Sequence, residues 1–277
     1  MSGPFDAYDV DQCRARIAAR NDVLHAILQE VEPRSSRQVS AQVSAQRELP
    51  LFGVPYVLKD VWDTAGIRTT GGSWRHRARV PVSSSHVHLA FERAGAVLLG
   101  KSNLCDLAFS TESDNHIRGP VRNPHDPSRT AGGSTGGGAA AVADGMAAFE
   151  WGSDFAGSIR GPAGSCGVVG LRLSAAAWPV GFHHFPRMAP FFWEMCGMGP
   201  ITREVEGARA VVRAVRGALR RPGFVEPTLD PTRVVVWAPD AVHAANGSHD
   251  RTRALDLTRD RTHPAHLPEE WGHPREM

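Results

Sequence analysis

Two serines sit where glycine crowds the chain. Ser134 lies in Ala131-Gly-Gly-Ser-Thr-Gly-Gly-Gly138, and Ser158 lies in Gly152-Ser-Asp-Phe-Ala-Gly-Ser-Ile-Arg-Gly-Pro162. A glycine-rich loop has two ordinary uses: it cradles a phosphate, or it presents a nucleophile beside free backbone N–H groups. The phosphate use needs GxxxxGK[ST] or GxGxxG in the right setting. No lysine follows these glycines, and no such spacing opens a helix after a clear strand. Nucleophile chemistry is therefore favoured, and a serine nucleophile needs a base. His86, His88, His116 and His125 are available, but none stands in a motif that names it, and GxSxG is absent around Ser158. A lysine serves as base when burial lowers its pKa. The chain has two lysines, Lys59 and Lys101. Lys59 directly follows the apolar run Phe52-Gly-Val-Pro-Tyr-Val-Leu58, which would carry its amine into the interior. Its alternative is a surface lysine ending a strand.

The elements that must hold these residues read as an α/β arrangement. Val10 to Val31 has helical character, with apolar Ile17, Leu24, Ile27 and Leu28; Glu32 to Ser44 is polar and linker-like. Phe52–Leu58 reads as a buried strand, His86–Ala94 as a helix and Ala96–Leu99 as a strand after it. Gly137–Ala148 reads as a closely packed small-residue helix, followed by a strand at Phe149–Trp151 and a loop over Gly152–Pro162. Val205–Leu219 fits a helix, and Arg233–Trp237 a strand. From Ala245 to Met277 the chain is polar with neither helical nor strand period, the signature of a segment that buries too little apolar surface to order itself.

Composition excludes several classes. The 277 residues carry 31 basic and 29 acidic side chains, a formal charge of +2. That balance leaves no electrostatic footprint for nucleic acid or an anionic membrane. No apolar run approaches membrane-spanning length, and Met1–Val10 lacks the apolar region of a signal peptide. The four cysteines, Cys13, Cys105, Cys166 and Cys196, are widely spaced without CxxC. No metal, cofactor or disulfide framework is expected, and a reduced, cytoplasmic protein is.

The chain resembles the amidase-signature hydrolases. The matching segments, in the family's order and spacing, are Gly53-Val-Pro-Tyr-Val-Leu-Lys-Asp60, Ala94-Gly-Ala-Val-Leu-Leu-Gly-Lys-Ser-Asn103, Gly119-Pro-Val-Arg-Asn-Pro124, Gly132-Gly-Ser-Thr-Gly-Gly137, Gly152-Ser-Asp-Phe-Ala-Gly-Ser-Ile-Arg160 and Cys166-Gly-Val-Val-Gly-Leu171. The likeness covers roughly Val10 to Gly217, and Phe185 to Arg203 resembles the fatty-acid-amide-hydrolase branch. The resemblance implies a mixed sheet flanked by helices and a Ser–cis-Ser–Lys triad. By motif, Lys59 is the base, Ser134 the bridging serine on a cis peptide, and Ser158 the nucleophile. The N–H groups of Phe155, Ala156, Gly157 and Ser158 would form the oxyanion hole. Asp154 and Arg160 would brace the loop, and Cys166 would pack.

Three departures stand out. Ala156 occupies a position usually glycine, and would be strained by about 1 kcal/mol if that position needs positive φ. Thr135 replaces a serine. Arg172 replaces a lysine at a position read as peripheral. The chain is also short for the family, and its family-like texture stops near Asp240. The expected organisation is an incomplete core over residues 1–244, lacking the C-terminal part of the family domain, and a tail over 245–277. A reading-frame shift or truncation is the preferred origin of that junction, and a natural disordered extension the other. The function implied is hydrolysis of a small-molecule carboxylic amide through an acyl-enzyme, with self-association into a homo-oligomer. The alternatives are the glutamine-hydrolysing subunit of a tRNA-dependent amidotransferase and a non-catalytic remnant.

Overall fold

Asp9 opens the first helix, α1 (Val10–Leu24), by accepting from the N–H groups of Asp11 and Gln12 at 2.9 and 3.0 Å. In this computed structural model, which describes residues 3–32, 49–174, 195–219, 237–239 and 252–254, α1 is shorter than the sequence predicts. His25 takes the left-handed conformation (φ 51°) and ends it. Asn21 then bonds both the N–H and the C=O of Ile27, which starts strand β1 (Ile27–Glu30) where helix was expected.

Strand β2 (Pro55–Lys59) is buried along its whole length. It pairs in parallel with β3 (Val97–Ser102) on one side and β4 (Phe149–Asp154) on the other. β1 adds antiparallel to β3, while β6 (Gly197–Thr202) adds antiparallel to β4 and carries the short β5 (Val169–Gly170) at the far edge. The result is a six-stranded mixed sheet of order β1-β3-β2-β4-β6-β5, the α/β class expected.

Helices cover both faces. On one face, α2 (His86–Arg93) and α5 (Val205–Leu219) pack over Tyr56, Leu58, Phe149 and Trp151. Tyr56 stacks on Phe149 with centroids 5.1 Å apart. On the other face, α1 and α3 (Gly136–Asp144) pack over Val57, Leu99 and Ile201. Helix α3 approaches closely because it opens with glycine: a Cβ at Gly137 would collide with the backbone of Asn103 and Ala26. Gly145 (φ 83°) ends α3 ahead of the expected Ala148.

The predicted loop Gly152–Pro162 is divided by the tertiary structure. β4 continues to Asp154 because β6 pairs with it as far as Asp154↔Gly197, and α4 (Arg160–Cys166) starts before the loop was expected to end. Two compact units are present, Met1–Phe224 and Val225–Met277, so the division falls earlier than the change of sequence texture at 244/245. In the second unit, β7 (Trp237–Pro239) pairs antiparallel with β8 (Thr252–Ala254). β8 lies inside the segment expected to be a polar tail. Residues 33–44 of the expected linker, 185–194 of the resemblance, 233–236 of the expected strand and the rest of the tail lie outside the described residues.

Candidate active site

The stretch Ala108–Thr111, the turn into α3 and the loop from β4 into α4 line one cavity of about 450 Å³, and the end of β2 lies behind it, in contact with Ser134. Lys59, last residue of the central strand, is fully buried, and its Nζ donates to Ser134 Oγ at 2.8 Å. It also donates to the carbonyl and hydroxyl oxygens of Ser153, both at 3.2 Å. Burial is the largest influence on the amine and pushes its pKa down to about 8, against the upward pull of Cys105, Cys196, Glu150 and Asp154. The amine therefore loses its proton far more readily than an ordinary lysine.

Ser134 and Ser158 both line the cavity. The Gly133–Ser134 peptide is cis, as the motif led us to expect. The Thr135 N–H donates to the Ser158 carbonyl at 3.1 Å, which ties the two serine loops together. Phe109, Ala108, Phe155, Ala156 and Cys196 supply the apolar part of the wall. Among the described residues, no histidine lines it. His88 instead meets the Tyr56 hydroxyl at 2.9 Å and His125 the Cys166 carbonyl at 2.9 Å.

Asp154 organises the loop. Its carboxylate, fully buried, accepts from the N–H of Gly157 (2.8 Å), Ile159 (3.1 Å) and Arg160 (3.3 Å), and from the Arg160 guanidinium at 3.0 Å through both oxygens. Burial is the strongest single influence and opposes ionisation, but the Arg160 side chain and the loop N–H groups together outweigh it and hold the carboxyl at about 2. Asp154 and Arg160 thus tie the end of β4 to the start of α4.

The same bonds bear on the expected oxyanion hole. The Gly157 N–H, one of its four expected donors, donates to Asp154 Oδ1 at 2.8 Å. Among the described residues, nothing accepts from the N–H of Ala156 or Ser158, both at the cavity wall. The suspected strain at Ala156 is also absent: the positive φ falls on Gly157 (110°), not on Ala156. Arg172 is not peripheral. Its Nε lies 3.3 Å from the Asp154 carbonyl and 3.6 Å from Oδ1, and Nη2 donates to the Met195 carbonyl at 2.6 Å. Cys166 is fully buried, with its Sγ against the Ala131 carbonyl.

Sequence reasoning missed Ser153, whose position at the end of β4 beside Lys59 no motif reading singled out. The second lysine, Lys101, is structural: it points to the other face of the sheet and meets Trp62 O at 2.7 Å, Thr69 Oγ1 at 2.9 Å and Asp60 Oδ1 at 3.3 Å.

Comparison with known proteins identifies the family. A family model described as Amidase matches residues 10–236. The chain is 37% identical over 216 residues to the A-type subunit of glutamyl-tRNA(Gln) amidotransferase from Prochlorococcus marinus (strain MIT 9211), covering 75% of this chain and 42% of that protein. It is 34% identical over 247 residues to AtzE, a 1-carboxybiuret hydrolase subunit of Pseudomonas sp. (strain ADP), covering 86% and 51%. A solved inhibitor-bound structure, described as a vestigial protein complex that reveals the evolutionary origins of an s-triazine catabolic enzyme, superposes with TM-score 0.68 at 28% identity, over 83% of this chain and 50% of that one. The chain spans about half the length of the curated relatives it matches. Among the described residues, no helix is long and apolar enough to cross a membrane.

Proposed function

The chain belongs to the amidase family, and from that premise we propose that Lys59, Ser134 and Ser158 form a relay that hydrolyses a carboxylic amide. Ser158 Oγ attacks the amide carbonyl carbon. Its proton passes to Ser134 Oγ while the Ser134 proton passes to Lys59 Nζ, so a neutral amine becomes an ammonium. The developing oxyanion is held by the N–H groups of Phe155, Ala156 and Ser158. As the C–N bond breaks, the ammonium returns the proton through Ser134 to the leaving nitrogen. Water then attacks the Ser158 ester by the same relay and releases the acid.

The observation that carries this reading is the 2.8 Å contact between a fully buried lysine amine and a serine hydroxyl at the wall of a cavity that a second, loop-borne serine shares. A lysine in that place is costly to keep charged, and a neutral amine beside a hydroxyl is a base. Treatment with a fluorophosphonate probe, followed by peptide mass spectrometry, tests it. The expected result is one adduct, on Ser158, that disappears in Lys59→Ala. Folded protein that takes no adduct would identify the chain as a non-catalytic remnant.

A second reading is the glutamine-hydrolysing subunit of a tRNA-dependent amidotransferase, favoured by the 37% identity to a subunit of glutamyl-tRNA(Gln) amidotransferase. Glutaminase activity that appears only on adding partner subunits would establish it. Hydrolysis of simple amides by the chain alone would favour the first reading. A cytoplasmic location and self-association belong to the same proposal. The first is supported by the described residues holding no spanning helix, and the second by the likeness to a solved complex and to enzyme subunits.

A further inference from the structure

A second buried carboxyl stands beside Lys59 with no part in the relay. Glu150 is fully buried in the middle of β4. Its register partner on β2 is Val57, and the partner of Lys59 on β3 is Ser102. Residues that pair across strands share a face, and alternate residues on one strand do too. Glu150, Lys59 and Ser102 therefore project from the same face, the one that α3 covers. The Ser102 hydroxyl donates to Glu150 Oε1 at 2.8 Å. β2 lies between β3 and β4, so the Glu150 side chain must reach across the central strand to make that bond, and it does so at the level of Lys59. Helix α3 makes the room: a Cβ at Gly138 would overlap the Glu150 side chain. Among the described residues, Glu150 Oε2 has no hydrogen-bond partner.

The groups facing this pair are few. Lys59 feels Cys105, Cys196 and Asp154 besides Glu150. Glu150 feels Lys59 and Lys101. The covering stretch of α3, Gly136–Val142, is glycine, alanine and valine. Burial pushes the Glu150 carboxyl well up from the ordinary glutamate range; the Ser102 bond, the two lysine charges and the Lys59 backbone oppose that rise without reversing it.

We propose that Glu150 is a positioning residue for Lys59, an ionised internal counter-charge that preserves the amine's affinity for the relay proton. The sheet buries Lys59 so deeply that burial alone would leave it a feeble base, and a carboxylate seated alongside stabilises the ammonium formed when the relay proton arrives. Glu150 itself exchanges no proton. The inference rests on Lys59 being the base, and its test is chosen so that the two ideas fail separately.

The sequence holds only two lysines, so the full chain labelled with [ε-13C]lysine shows two Cε signals, which Lys59→Arg and Lys101→Arg assign. The Lys59 signal is titrated in the wild-type chain, Glu150→Gln and Glu150→Asp. The expected result is a Lys59 midpoint lower by about one pH unit or more in Glu150→Gln, with partial recovery in Glu150→Asp. A folded Glu150→Gln chain with an unchanged midpoint overturns the proposal. Should Glu150→Gln not fold, [δ-13C]glutamate spectra of the wild-type chain decide. A Glu150 carboxylate at the pH where Lys59 titrates supports the counter-charge, and a protonated carboxyl there overturns it. The rate of fluorophosphonate labelling should shift its acid limb in the same direction in Glu150→Gln. Absence of labelling counts against Ser158 as nucleophile and leaves the Lys59 titration to judge Glu150.

Discussion

Asp154 turns the N–H of Gly157 inward, at 2.8 Å, so the most flexible residue of the serine loop is held by a buried carboxylate and not by the cavity. On either side of Gly157, the N–H groups of Ala156 and Ser158 stand at the cavity wall with no acceptor among the described residues. Donors fixed in advance are what electrostatic stabilisation of a developing charge requires, since donors that must reorganise lose their advantage.

If Lys59, Ser134 and Ser158 act as one unit, their losses should not add. Each single alanine variant is expected to lower amide hydrolysis by on the order of 10⁴-fold or more, and the triple variant little further. Steady-state kinetics on the three singles and the triple checks this. A Ser158→Ala chain with near-normal turnover would remove Ser158 from the chemistry.

If the Lys59 amine is the base, it acts only when neutral. With its pKa pushed down to about 8, activity and probe labelling should rise with pH through an acid limb centred near 8. Stability carries the same signature. Between about 8 and the ordinary value of 10.5, the unfolded chain holds a proton on Lys59 that the folded chain does not. Stability contributed by this residue should therefore rise with pH across that window, and the burial cost should be present in full below it. Denaturant titrations at pH 7, 8 and 9 on wild type and Lys59→Met measure the difference: the slope attributable to Lys59 should vanish in the variant.

Asp154 should behave in the opposite way. Its folded pKa of about 2 lies below the ordinary aspartate value of 3.8, so its stabilisation is present above that value and is lost as pH falls through 2. Arg160→Ala should move this loss to higher pH. Because the Arg160 side chain is 56% exposed, the cost at neutral pH should be modest, about 1 kcal/mol. Asp154→Ala should cost more, about 3 kcal/mol, since it leaves the N–H groups of Gly157, Ile159 and Arg160 without their acceptor. Urea midpoints at pH 7 and pH 3 separate the two variants.

Ala156→Gly restores the glycine that the family motif carries, and the backbone shows no reason for it. Ala156 does not lie at positive φ, so glycine relieves no strain and adds only freedom to the unfolded chain. The expected result is a loss of about 0.5–1 kcal/mol in urea unfolding. A gain in stability would mean that alanine is strained there after all.

The groups proposed to react were legible in the sequence because they interrupt its composition. A chain with two lysines that places one directly after an apolar strand marks that residue, and serines set among glycines mark themselves. The helix Val205–Leu219 and the central strand were legible too, the strand because it is an apolar run. Residues whose state depends on a distant partner were not. β4 runs on to Asp154 only because β6 lies alongside it, and α1 stops at Leu24 because Asn21 reaches ahead to Ile27. Arg172 read as peripheral, yet it reaches Asp154 across the sheet edge. Glu150, between Phe149 and Trp151, carries no signal of its own in the sequence. Both faces of this sheet are covered, so alternation separates one layer of core from another, and the carboxyl ends up beside Lys59. Residue type and spacing determine which groups can react and which way a strand alternates. Which face is dry, which N–H is already taken and which charge stands beside the amine are properties of packing between segments far apart in the chain, and only the tertiary structure decides them.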